Sequence, residues 1–164
     1  MDLPCMSISS MEVTSVVDLK KLFSELIRFE TEIWNAIDAR LRAEFDLPLS
    51  RFEPMQVMSR RDLCRVQDIA EQLIITVGGA SKLVDRIEDC GYCSRRANPE
   101  DRRSSIVELT PTGKRILAKA TLVFEEELQS WLGVLPERSL HQLATTLARL
   151  RPRGHAADLG PKSA

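Results

Sequence analysis

The 164-residue chain is short of several things, and each shortage excludes something. It has two His, and His141 and His155 stand apart from any Cys or carboxylate cluster at ligand spacing, so no structural metal and no cofactor is expected. Its four Cys, at positions 5, 64, 90 and 93, are too scattered for a disulfide scaffold in a chain of this length. Apolar runs last only a few residues, far short of the roughly 20 that span a bilayer, so no membrane role is expected. Met1 to Met11 lacks the basic-then-apolar layout of a secretory signal. No nucleophile with its base, phosphate-cradling Gly-rich loop or pair of catalytic acids is recognisable, which argues against an enzyme. No period of 20–50 residues recurs, so the chain is no solenoid. A net charge of −1 excludes nucleic-acid binding by bulk charge alone. These absences together predict a soluble, reduced, cytoplasmic protein.

What is present is 43% hydrophobic residues with charge of both signs, the composition of one compact domain with helical extensions. The charge is uneven. Arg51 to Lys119 holds 13 Lys+Arg against 10 Asp+Glu, and the remainder holds 10 against 14. A mildly basic middle with acidic flanks is compatible with a local positive face that meets DNA.

Helical spacing of Leu19, Leu22, Phe23, Leu26, Ile27, Ile33, Trp34, Ile37 and Leu41 predicts a long amphipathic helix from Val16 to Glu44, stopped by Asp46-Leu47-Pro48. Ser50 and Glu53 read as a capping box that opens a short helix to about Arg60. Val66, Ile69, Ala70 and Leu73 mark a further short helix, and Ile74-Ile75-Thr76 a tight turn with Thr76 as N-cap. The next helix is expected to turn Val77, Ala80, Leu83, Val84 and Ile87 inward and to stop at Gly91. Extended segments Tyr92 to Ala97 and Ser104 to Leu109 flank the turn-rich Asn98-Pro99-Glu100-Asp101. Thr110-Pro111 then starts a helix to about Leu132, and a last helix runs from Pro136 to Arg149.

The fold class expected is mainly α with a small β-hairpin wing: a winged helix-turn-helix core plus long N- and C-terminal dimerisation helices. Its divisions are a mobile tail (1–15), a dimerisation helix (16–47), a winged DNA-binding lobe (48–109), C-terminal dimerisation helices (110–151) and a second mobile tail (152–164). Dimerisation is argued from Phe23, Phe29, Trp34, Phe124 and Trp131 on the terminal helices. Burying each stabilises by about 1.5–3 kcal/mol, so a second copy is expected to cover them.

Within the middle module, the helix beginning at Val77 leaves Gly78, Gly79, Ser81, Lys82, Asp85 and Arg86 off its core face. Small residues beside cations at a helix N-terminus suit close approach to a phosphate backbone, and Ser and Lys also reach base edges. Two consecutive Gly cost roughly 0.8–1.0 kcal/mol each in a helix, a cost more easily understood if something must come close. Thr76 belongs to the same surface. Arg86 either touches DNA or braces the lobe through a salt bridge, and Asp85 is read as structural. The hairpin adds Arg95, Arg96, Arg102 and Arg103, and an Arg at a wing tip suits a narrow minor groove. Asp101 in that loop would orient an Arg through charge-assisted hydrogen bonds.

Several strings then match a known pattern. They are Asp68-Ile69-Ala70, Ala80-Ser81-Lys82-Leu83-Val84-Asp85-Arg86-Ile87-Glu88, Gly91-Tyr92, Arg95-Arg96, Asn98-Pro99, Glu100-Asp101-Arg102-Arg103, Val107 and Leu109-Thr110-Pro111-Thr112-Gly113. Residues 66–117 resemble the winged-helix core of the MarR (multiple-antibiotic-resistance regulator) family, and the flanking helices extend the resemblance over 16–149. It implies an obligate homodimer whose terminal helices form the base and whose two lobes read a pseudo-palindrome in double-stranded DNA. The helix from Val77 to Cys90 would enter the major groove, and Arg103, braced by Asp101, the minor groove. It also implies a repressor, released in many members by a small-molecule effector or an oxidant; the effector here is unidentified. Gly78-Gly79 departs from the bulkier polar residues frequent in the family, which bears on operator preference.

Other readings are a winged-helix protein-interaction module without DNA binding and a cysteine-based redox-sensing regulator. Cys90-Gly91-Tyr92-Cys93 has dithiol spacing, but Cys90 falls at a helix C-terminus, where the dipole disfavours a thiolate. Cys5 is the other candidate sensor.

Overall fold

The computed structural model describes residues 17–98 and 104–150. Among these residues the elements are α1 (Leu19–Phe45), α2 (Leu49–Ser59), α3 (Val66–Leu73), α4 (Val77–Asp89), β1 (Cys93–Ala97), β2 (Ser105–Leu109), α5 (Pro111–Leu132) and α6 (Glu137–Leu150). The fold is mainly helical with one antiparallel hairpin, as expected. The chain divides into two compact units, residues 1–32 and 33–164.

In the first unit, Asp18 caps α1: its Oδ1 accepts the N–H groups of Lys20 at 3.0 Å and Lys21 at 3.2 Å. The apolar positions Leu19, Leu22, Phe23, Leu26 and Ile27 are exposed.

In the second unit, Ile37 and Leu41 of α1 are buried with Leu47, Phe52, Met55, Ile69, Val84, Ile87 and Val107. Helix α1 ends where Asp46 takes a positive φ of 51°. The expected capping box on α2 is absent. The helix starts one residue earlier, after Pro48, which places Ser50 and Glu53 inside it. Its first free N–H, that of Leu49, is capped from α1 instead, by Asp38 Oδ1 at 2.7 Å. Burial pushes the Glu53 carboxyl up.

The rings of Phe52 and Phe124 lie 5.0 Å apart and tie α2 to α5. Trp34 and Trp131 are also half-buried, and Trp131 donates its indole N–H to Glu127 at 3.0 Å. Three of the five aromatics expected to need a second copy are therefore partly covered within the protomer. Arg40 joins α1 to α5, reaching Glu126 at 2.6 Å and Glu127 at 3.3 Å.

The Leu109-Thr110-Pro111-Thr112-Gly113 string has a packing explanation. Thr110 caps α5 by accepting Gly113 N–H at 3.0 Å, with Pro111 in the first turn. Thr110 also donates its N–H to the Tyr92 carbonyl at 3.0 Å and its hydroxyl to the Gly91 carbonyl at 2.7 Å. Helix α5 thus docks on the turn between α4 and β1. A Cβ on residue 113 would lie 1.9 Å from the Tyr92 carbonyl oxygen, so only glycine fits there.

Candidate nucleic-acid interface

The α3–α4 pair is a helix-turn-helix built on local capping. Helix α3 opens with Asp68 accepting the Arg65 N–H at 2.8 Å, and it closes with Ile74 at a positive φ of 55°. That left-handed residue turns the chain so that the Ile75 N–H reaches the Ala70 carbonyl at 3.0 Å. Thr76 is the N-cap of α4, accepting Gly79 N–H at 3.1 Å, as its sequence position predicts. Helix α4 ends in a Schellman arrangement, with Gly91 N–H on the Glu88 carbonyl, Tyr92 N–H on the Ile87 carbonyl and Gly91 at φ 72°.

The buried face of α4 is Ala80, Val84 and Ile87, with Leu83 half-buried. Val77, expected inward, is 54% exposed. The helix begins at the edge of the core, and its first residue is left outside the core cluster. Thr76, Gly78, Lys82 and Arg86 are exposed, and Gly79 and Ser81 half-buried. Lys82 and Arg86 form no ion pair with any described residue. Nothing lies within 4 Å of a Cβ built on Gly78, so the protomer does not itself require glycine at that position.

The hairpin is fastened to both helices. On one side, Val107 N–H donates to the Cys64 carbonyl at 2.7 Å and Arg65 bridges Ile106, adding the segment before α3 as a third edge. On the other, Arg95 of β1 crosses to α4. Its guanidinium pairs with Asp85 and Glu88 and reaches the Ser81 carbonyl at 3.4 Å, while its N–H donates to Glu88 at 3.0 Å. Burial alone would lower the Arg95 pKa, but the bonds from Asp85 and Glu88 outweigh that and raise it. Arg95, grouped in the sequence with the DNA-facing cations, also braces the hairpin through these pairs. Asp85 has the structural role expected of it, and Glu88 is a partner that sequence reasoning missed. Arg96 pairs with Glu108 across the hairpin at 2.7 Å.

At the base of the wing loop, Asn98 closes the hairpin against Ser104, side chain to side chain at 2.9 Å. Asp101, Arg102 and Arg103 lie outside the described residues, as do Cys5 and His155. Of the Cys-X-X-Cys pair, Cys90 is exposed and Cys93 buried. Burial, with Glu88 nearby, pushes the Cys93 thiol up to about 12, and burial with Asp68 nearby pushes Cys64 up to about 11. Neither thiol carries the lowered pKa of a reactive cysteine.

The helix-turn-helix and the first strand of the hairpin fall within the match to one family model. The MarR family model aligns with residues 47–105, from just before α2 to the first residue of β2. Residues 47–105 thus carry the pattern of the MarR family. Among relatives, it is 30% identical over 73 residues to the uncharacterized HTH-type transcriptional regulator YfiV of Bacillus subtilis (strain 168). That match covers 44% of this chain and 46% of the relative, so the chain spans about half the length of that relative. Among solved structures, a mutant MarR from E. coli complexed with operator DNA superposes with a TM-score of 0.76 at 19% identity, covering 82% of this chain and 96% of that one. The S. aureus MepR–DNA complex superposes at 0.71 and 20% identity, with coverages of 82% and 96%. At such identities the superpositions establish the winged-helix fold alone.

Proposed function

We propose that this MarR-family chain is a homodimeric transcriptional regulator that binds pseudo-palindromic double-stranded operators, acts as a repressor and is released by a small-molecule effector. The observation that carries the reading is the exposed face of α4. Lys82 and Arg86 are unpaired with any described residue and follow Gly78 at i+4 and i+8 on one row of the helix, where Gly78 leaves room for close approach. Two solved neighbours of the same fold hold DNA. In this reading α4 enters the major groove, with Thr76, Gly78, Gly79, Ser81, Lys82 and Arg86 at the contact. Arg95 holds the wing at a fixed angle, so that Arg102 and Arg103, with Asp101 orienting one of them, reach the adjacent minor groove.

The homodimer is supported by apolar surface that stays wet in the protomer. Leu19, Leu22, Phe23, Leu26 and Ile27 of α1 are exposed, and α6 buries none of its residues while exposing Leu143, Leu147 and Leu150. A groove of about 620 Å³ between α2, β2 and α5, lined by Met58, Arg61, Glu108, Leu109, Lys114 and Leu117, has the size to seat an effector.

The test is titration of the purified protein onto the DNA upstream of its own gene, at two salt concentrations with nonspecific competitor. Two protomers per site and affinity that falls steeply with salt support the reading. If that fragment is not bound, a genome-wide binding selection follows. Failure of both, with capture of a specific protein partner, would replace the reading with a protein-interaction module.

A further inference from the structure

The first residue of α4 is unusual for a helix inserted in a fold. Val77 is an apolar, β-branched side chain, 54% exposed, on a face whose other exposed members are polar or glycine. Ile74, in the preceding turn, is 81% exposed. Nothing in the protomer explains an apolar group there. Val77 is not among the core residues, and the cap on α4 is supplied by Thr76.

Its place on the helix is informative. Val77, Ser81 and Asp85 follow one another at i, i+4 and i+8, so they form one row along α4. Asp85 is the end of that row clasped by Arg95 of the wing. Val77 is therefore at the opposite, N-terminal end of the row, the end that leads if α4 enters a groove. Beside it, a Cβ on Gly78 would meet nothing within 4 Å beyond its chain neighbours and its own helix backbone. An apolar knob next to an empty step suits an apolar protrusion on the partner. In the major groove of DNA only one base offers such a group, the C5-methyl of thymine.

We propose that Val77 is a specificity-determining residue that recognises a thymine methyl in each operator half-site, with the space at Gly78 admitting the base edge. This rests on the DNA-binding reading above and deepens it by naming what the operator must contain.

The test uses the full chain and the operator recovered by the binding selection, with each thymine replaced in turn by deoxyuridine, which removes only the methyl. At one thymine per half-site, the substitution is expected to weaken wild-type binding about fourfold, the worth of one buried methyl-sized group. Val77→Ala should bind the thymine and deoxyuridine operators equally at that position, with an unchanged melting temperature as control for folding. If no replacement weakens the wild type, or if Val77→Ala keeps the full discrimination, the inference is overturned while the DNA-binding reading stands. If the unmodified chain binds no DNA specifically, both fall together.

Discussion

Gly113→Ala separates tertiary packing from local propensity because the two predict opposite signs. Glycine within a helix costs roughly 0.8–1.0 kcal/mol relative to alanine, so propensity alone says that the substitution stabilises. The packing says otherwise. The new Cβ would stand 1.9 Å from the Tyr92 carbonyl oxygen and 2.8 Å from its carbon, both backbone atoms that no rotamer change can move away. Helix α5 must back off the α4–β1 turn by more than about 1 Å to restore van der Waals separation. That movement breaks the Thr110 bonds to the carbonyls of Tyr92 (3.0 Å) and Gly91 (2.7 Å), each worth about 0.5–1.5 kcal/mol. It also strains the contact between Leu117, Ala120 and the core, and overpacking typically costs about 1–3 kcal/mol. Subtracting the propensity gain leaves a net destabilisation of about 3 kcal/mol. Urea unfolding followed by far-ultraviolet circular dichroism, at one fixed protein concentration, measures it as a lowered midpoint with unchanged m. An unchanged or raised midpoint would refute the docking argument.

Gly78→Ala, where nothing is within 4 Å, should do the reverse: it raises stability by at most about 1 kcal/mol in the same melt yet weakens operator binding in gel-shift titration. Ile74→Gly relieves a β-branched residue at φ 55° and, since the side chain is exposed, should stabilise by about 0.5–1 kcal/mol once the greater freedom of unfolded glycine is counted, read from thermal melts. Arg95→Ala should destabilise by about 1.5–3 kcal/mol and weaken operator binding more than Arg96→Ala does, since of the two Arg95 pairs with α4 and Arg96 pairs within the hairpin; equal effects would contradict the clamp. For Asp68, burial would raise the carboxyl, but the Arg65 N–H and the Arg65 and Arg61 guanidinium groups outweigh it and hold it below its ordinary 3.8. Its stabilising contribution is thus complete above pH 3.8 and disappears as pH falls through the lower folded value, so Asp68→Asn should be less stable at neutral pH and lose less on acidification, as acid titration of the melting temperature would show.

Much of this protein is written in interactions a few residues long. The Thr76 cap reaches three residues ahead, Thr110 does the same for α5, and Gly91 takes the left-handed position that ends α4. Period and turn chemistry therefore predicted the element order and both strands, and the strings around Lys82 and Thr110 were enough to recognise the family. What escaped depends on partners distant in sequence. The α2 cap comes from Asp38, 11 residues upstream on another helix, so the local Ser50–Glu53 pattern misled. Arg95 reaches Asp85 ten residues back across a turn, a pairing that no local pattern announces. Val77 obeys the apolar spacing of its helix yet is left exposed, because periodicity says which face a residue occupies and not where the core ends. Gly113 was legible as a motif, but its reason, the carbonyl of Tyr92 where a side chain would be, exists only once α5 has folded back onto the turn. Local sequence determined which segments form and how they begin and end; tertiary packing decided which charged and apolar side chains were left free, because only assembled elements can occupy them.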